Sequence, residues 1–245
     1  RVVSCIEKVS NFSFTYQSLK KEYKNALDQG YQIINCIDYF DENYDLHKKV
    51  IVNRVDVDFS LKKAHRILKI FNDLGISATF FIRLHAPEYN PFSFEGFKIL
   101  KLIRDSVHEI GYHSEVVDQS MIWSEPSEDC LRRDLDVLSK MLGIQVKGVA
   151  SHGGMTGLNN LDFWKDREPA DFDLTYEAYR GSKTRNLFEN SLYVSDSEWT
   201  RWKCYRNGKL SEMDNRCLSE HLIDCPKVVY FLTHPDTFFD HHFYE

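Results

Sequence analysis

No stretch of this sequence is apolar for long enough to cross a membrane, and no basic block marks a nucleic-acid surface. The 31 Lys+Arg against 37 Asp+Glu give a formal net charge of −6, and the lysines are scattered, which argues against nucleic acid as a partner. Metal-type cysteine spacing is also missing. Cys5, Cys36, Cys130, Cys204, Cys217 and Cys225 form neither a C-x-x-C pair nor a zinc knuckle. At this length scattered cysteines read as buried thiols in a reducing compartment, so a cytoplasmic location is expected. The chain starts at Arg1 with no signal-peptide pattern, a start also compatible with a leader already removed. There is no internal repeat and no low-complexity tract. Gly153-Gly154 lacks the G-x-G-x-x-G context, which discounts nucleotide binding.

What is present suits one soluble domain spanning 1–245. Its 245 residues are 42% hydrophobic and 28% charged, enough to bury a full core. Residues 1–49 read as an N-terminal extension packed on it, with a helix over 18–29 stopped by Gly30 and a strand over 31–39. The main pattern then starts. Val50, Ile51, Val52 and Val55 make a β-branched run that reads as a buried strand. Side chains alternate along it, so Arg54 and Asp56 share one face, Val55 and Val57 the other, and Asp58 continues the charged side. Ser60 is an N-cap, and Ala64, Ile67, Leu68, Phe71 and Leu74 form a helical stripe closed by Gly75.

The unit repeats. Residues 78–84 form a strand ending at His85, followed by a helix over 94–106. A short strand over 109–112 ends at His113, and a helix from Ser127 stops at Gly143. A strand over 146–150 ends in Ser151-His152. From 155 to 224 the signal weakens to short strands over 173–176 and 191–194 and a helix around Leu218. A last strand over 228–232 ends in Thr233-His234-Pro235. Alternating strands and helices imply a parallel sheet, with all carboxyl ends at one edge. That edge would collect Asp56, Asp58, His85, His113, His152 and His234, a convergence hard to explain as packing. Imidazoles with carboxylates suit a borderline divalent metal, zinc first, with Mn, Fe, Co or Ni also served by such ligands.

These motifs resemble the polysaccharide deacetylase superfamily of carbohydrate esterases, with its T-F-D-D-G and H-[ST]-x-x-H signatures. They are most similar to a divergent branch carrying R-H-D-V-D, usually seen near glycan-biosynthesis functions. The matching segments are Arg54-Val55-Asp56-Val57-Asp58, Ile110-Gly111-Tyr112-His113-Ser114-Glu115, Ser151-His152 and Leu232-Thr233-His234-Pro235. The likeness covers most of residues 30–155 and the final strand. It implies an α/β fold, a distorted (β/α) barrel of about seven parallel strands, and metal-dependent removal of N- or O-acetyl groups from a sugar. It also implies Asp56 as general base, Asp58 and His113 as metal ligands, and His234 as the acid. The chain departs from the pattern in three places. Val117 stands where the second motif has its other histidine, Val55 replaces the branch's histidine, and Val57 separates the two aspartates, so base and ligand could be exchanged. His152 is the expected third ligand, with Glu115 and Asp118 as alternatives. Arg54, His85 and Trp123 are expected to bind substrate; Arg54 could equally be an ion pair lining the barrel. Trp164, Trp199 and Trp202 are stacking candidates or core. Asp240-His241-His242 reads as a polar chain end. A glycan-binding or scaffold domain that lost activity, or a hydrolase of another C–N bond, are the alternative functions.

Overall fold

The computed structural model describes residues 8, 9 and 12–241; Cys5 and His242 lie outside them. Among the described residues the centre is a curled, mostly parallel sheet of ten strands. Val50–Val57 runs through its middle, bonded along one edge to Val228–Thr233. Its other edge is shared, with Gln32–Ile34 against residues 50–52 and Thr79–Ile82 against residues 54–57. The parallel run continues through Glu109–Ser114, Gly148–Ser151 and Tyr176–Glu177 on one side. On the other side Leu192–Ser195 joins Val228–Thr233 in parallel. An antiparallel edge of Lys203–Arg206 and Lys209–Leu210 ends the sheet. The five strands expected to be parallel neighbours are so, in one unbroken order.

Alternation along Val50–Val57 divides the molecule into two cores. Ile51, Val55 and Val57 face outward and pack with the helices Tyr16–Asp28, Leu61–Leu74, Phe94–Arg104 and Ser127–Leu142. Val50 and Val52 face inward with Phe81, Ala150, Tyr193, Tyr230 and Leu232. The concave face is therefore apolar at its base and becomes charged only from Arg54 upward. Sequence signals at the helix ends hold. Ser60 Oγ accepts from the Lys63 N–H at 3.2 Å, and Gly75 closes that helix in the left-handed region at φ 66°. Both devices satisfy orphaned helix-end groups. Inside the sheet, Gly111 is required by close approach: a Cβ there would collide with the Phe81 ring. That contact gives the glycine of the E-I-G-Y-H segment a packing cause.

Several element ends shift by a residue or two, and three differences from expectation matter more. Of the strand expected over 31–39, only Gln32–Ile34 forms; Asn35 Oδ1 then accepts from the Asp38 N–H at 2.8 Å and starts the helix Cys36–Phe40. The Thr79–Ile82 strand stops short of His85, which sits in the following loop. Residues 169–172 form a 3-10 turn, so only Tyr176 of the expected 173–176 strand is extended in the sheet. The helix Val116–Trp123 was not foreseen.

His108 links two elements in the outer core and sets a pH dependence. Its Nδ1 accepts from the Ala78 N–H at 3.2 Å, so Nε2–H donates to Asn72 Oδ1 at 3.0 Å. Only the neutral ring makes both bonds. Burial pushes its pKa down to about 4. The unfolded chain therefore binds the extra proton between about pH 6.5 and 4, and folding stability falls as pH drops through that window. The loss attributable to His108 is at most about 3 kcal/mol. Urea titrations at pH 4 and 7 should show a smaller pH difference for His108→Gln than for the parent. An identical difference would remove His108 from the account.

Candidate active site

Register brings the charged groups to one mouth. Val57 pairs with Ile82 and Ile82 with Tyr112, so one step further Asp58 and His113 stand at the same level. His113 pairs with Ala150, two residues before His152. Thr233 pairs with Val55, which carries His234 up beside Asp56. Five of the expected site residues therefore meet: Asp56, Asp58, His113, His152 and His234.

Asp56 is held from below. Arg54 Nε donates to its Oδ1 at 2.8 Å and Nη2 to its Oδ2 at 2.7 Å, a two-point pair. The guanidinium is fully buried in an aromatic box, with its centre 4.5 Å from the Tyr179 ring, 5.3 Å from Phe81 and 5.8 Å from Tyr230. Such rings attract a cation through their faces. Burial alone would raise the Asp56 carboxyl, but Arg54 above all, then His113, holds it below the usual carboxylate range. Asp56 stays ionised.

Asp58 is the hub of a second arrangement. Ligand atoms of Asp58, His113 and His152 all lie within 4.8 Å of one another. His113 Nδ1 donates to the Ala150 carbonyl at 2.9 Å, since that oxygen can only accept. Its Nε2 points at Asp58 Oδ1 from 3.2 Å and at Asp56 Oδ2 from 3.4 Å; burial would lower the ring's pKa, but these two carboxylates raise it. Two lone pairs at that distance repel unless a proton or a cation lies between them. Asp58 Oδ1 is buried and makes no hydrogen bond. His152 Nε2 is 3.8 Å from the same oxygen, and its ring meets His113 edge-on at 5.0 Å. The donor set, one carboxylate and two imidazoles, is of a kind that could hold a divalent metal ion.

The surrounding groups orient these donors. Glu115 Oε1 lies 3.3 Å from His152 Nδ1, and Arg83 joins Glu115 at 2.7 Å to the Asp58 carbonyl at 3.0 Å. Asp118 is taken up by the loop after His152. Its carboxylate accepts from the Met155 and Thr156 backbone, from Thr156 Oγ1 at 2.7 Å and from Asn160 Nδ2 at 2.7 Å. Asn160 Oδ1 in turn accepts from the Val117 and Asp118 N–H groups, so the helix start at Val117 is tied to that loop.

His234 stands on the opposite side. Its Nδ1 is 2.6 Å from Asp196 Oδ1, its backbone N–H donates to Asp196 Oδ2 at 2.9 Å, and its Nε2 is 3.8 Å from Asp58 Oδ2. Burial would lower its pKa, but the carboxylate of Asp196, then that of Asp58, raises it to about 9. Asp196 went unseen in the sequence. Its signal was available, because it follows the Leu192–Ser195 strand as the other site residues follow theirs.

Two expected residues lie in a different cluster. His85 Nε2 meets Asp134 Oδ2 at 2.8 Å and packs against Trp123 with centroids 5.1 Å apart. Asp134 also accepts from Tyr112 Oη and Gln119 Nε2. Trp164 and Trp202 are core. Trp199 is half-exposed, its ring 5.6 Å from that of Phe59, next to Asp58.

No family model matches the chain, and no curated protein sequence does. Among solved structures, similar chains are deacetylases and their relatives. A deacetylase, PplD, from Streptococcus pyogenes in complex with acetate has 16% identity over 64% of this chain and 69% of its own, with a TM-score of 0.48. A CE4 family pseudoenzyme from Bacillus anthracis, BA3943, has 18% identity over 78% of this chain and 56% of its own, with a TM-score of 0.44. A mutant of the peptidoglycan deacetylase PdaC from Bacillus subtilis has 16% identity over 78% and 90%, with a TM-score of 0.41. No helix among the described residues is long and apolar enough to cross a membrane.

Proposed function

We propose that the protein is a metal-dependent hydrolase that removes an N- or O-acetyl (acyl) group from a sugar or glycan precursor. The observation that carries this is His113 Nε2 standing 3.2 Å from the buried Asp58 Oδ1, with His152 completing the donor set. Asp58, His113 and His152 would hold one divalent ion, for which zinc is well suited. When bound, such an ion supplies Lewis acidity, polarising an acyl carbonyl and acidifying a water.

The remaining chemistry falls to side chains around it. Asp56, ionised and fixed by Arg54, accepts the proton of the attacking water. Both its oxygens rest on Arg54 and only His113 stands near it, at 3.4 Å from Oδ2, whereas Asp58 faces both imidazoles, which favours base and ligand roles in that order. His234, held by Asp196, donates a proton to the departing amine or alkoxide. Arg54, buried beneath the site, acts through Asp56. Trp123, exposed beside His85, and Trp199 are assigned to the sugar rings of a longer substrate.

The test is acetate release from a panel of N- and O-acetylated sugars, before and after stripping metal with a chelator. Activity should vanish on stripping and return with zinc. Unchanged activity in metal-free protein would contradict the reading. A metal-loaded but inactive parent on a broad panel would favour the binding or scaffold domain.

A further inference from the structure

We propose that Cys204, Asp214 and His221 form a second divalent-metal site, independent of the hydrolytic one. The three donors come from three elements: the edge strand Lys203–Arg206, the short strand Asp214–Asn215 and the helix Leu218–Leu222. Their ligand atoms all lie within 4.8 Å of one another. Cys204 and His221 are fully buried. Neither ring nitrogen of His221 has a hydrogen-bond partner among the described residues. A buried imidazole with both nitrogens unpaired is costly, and buried polar groups in folded proteins are nearly always satisfied. His221 Nε2 points at Asp214 Oδ1 from 3.8 Å, and the Cys204 sulfur closes the triangle.

Asp214 is already aimed. Arg216 donates from Nε to Oδ1 and from Nη2 to Oδ2, each at 2.9 Å. A carboxylate oxygen has lone pairs for both an arginine and a metal, and such outer bonds orient metal ligands. Sulfur, imidazole and carboxylate together select a borderline ion such as zinc over calcium or magnesium, which take oxygen alone. Donors around tetrahedral zinc stand about 3.3–3.6 Å apart, so contraction by roughly an ångström at most would seat the ion. Sulfur and imidazole are buried, and three protein donors leave the fourth position of a tetrahedral ion to a water. An ion there would tie the antiparallel edge of the sheet to the helix that precedes Val228–Thr233, the strand that ends at His234. The spacing C-x9-D-x6-H matches no zinc-finger pattern, which is why cysteine spacing alone passes over it.

Cobalt(II) tests the proposal, because thiolate-bound cobalt gives a charge-transfer band in the near ultraviolet and the Asp58 site contains no sulfur. Full-length chain is stripped under reducing conditions and reconstituted with cobalt; bound metal and absorption are read together, with circular dichroism as the folding control. The parent should bind about two equivalents and show the thiolate band. Cys204→Ser should lose the band and one equivalent. His113→Ala should lose one equivalent and keep the band. A parent with no thiolate band overturns the proposal, as does a band unchanged in Cys204→Ser. One equivalent without the band would leave the hydrolytic site standing and this one refuted; a band unaffected by His113→Ala with only one equivalent in the parent would do the reverse. If Cys204→Ser does not fold, the parent and His113→Ala spectra still decide.

Discussion

Replacing Asp56 by Asn, or His234 by Ala, should slow acyl release by about 10²–10⁴-fold while metal content stays at the parent level. Neither residue belongs to the Asp58–His113–His152 donor set, so each change should act on proton transfer alone. The two variants should differ in their dependence on the leaving group. An amine or sugar alkoxide must be protonated as it departs, whereas the phenolate of an activated aryl acetate leaves unaided. His234→Ala should therefore recover most of its loss on the aryl ester. Asp56→Asn should remain slow on both substrates, because water attack still lacks its base. Full activity in both variants would refute the assigned roles. Equal losses on both substrates would show that His234 does more than protonate a leaving group.

Arg54→Ala should destabilise the fold by about 3–5 kcal/mol, the usual consequence of stripping the partner from a buried charge. The guanidinium is fully buried and makes two hydrogen bonds to a carboxylate that is itself nearly fully buried. Its removal leaves an unpaired anion and a void among Tyr179, Phe81 and Tyr230. Arg54→Lys keeps the charge but cannot reproduce the planar two-point contact, so it should fall between parent and alanine. Combining Arg54→Met with Asp56→Asn should restore much of the loss, because a neutral amide no longer needs a cation. Urea unfolding of the four proteins measures this. A loss under about 1 kcal/mol for Arg54→Ala would mean that water, not Arg54, stabilises Asp56.

The strand ends were the legible part of this sequence. Period-two alternation at 50–57 separated Arg54 and Asp56 from Val55 and Val57, and the inner and outer cores divide along that line. Parallel order followed from strand–helix alternation, and register then delivered His113, His152 and His234 to Asp58. His85 failed to join them because its strand ends at Ile82, leaving a loop to decide where the ring goes. Val117, where the related motif has a histidine, breaks the local pattern; the structure places His152, from the next strand, beside Asp58 instead. Spacing around residue 117 does not point to His152, whereas the strand-end pattern does, since residues 113 and 152 become neighbours only through the sheet. Asp196 follows its strand as the other site residues follow theirs, but like Arg83 it acts across strands, on His234 and on Glu115, with no motif of its own. The edge hairpin 203–210 has no apolar alternation to announce it; Cys204 is its one fully buried side chain.

The most direct measurement is an anomalous-difference map at the zinc edge, from crystals of protein purified without chelator, for the parent and His113→Ala. The account predicts a peak in the parent bounded by the Asp58 carboxylate, His113 Nε2 and His152, and no peak there in His113→Ala crystals of the same fold. No peak between those three residues in the parent, or one that survives loss of the His113 imidazole, would contradict it.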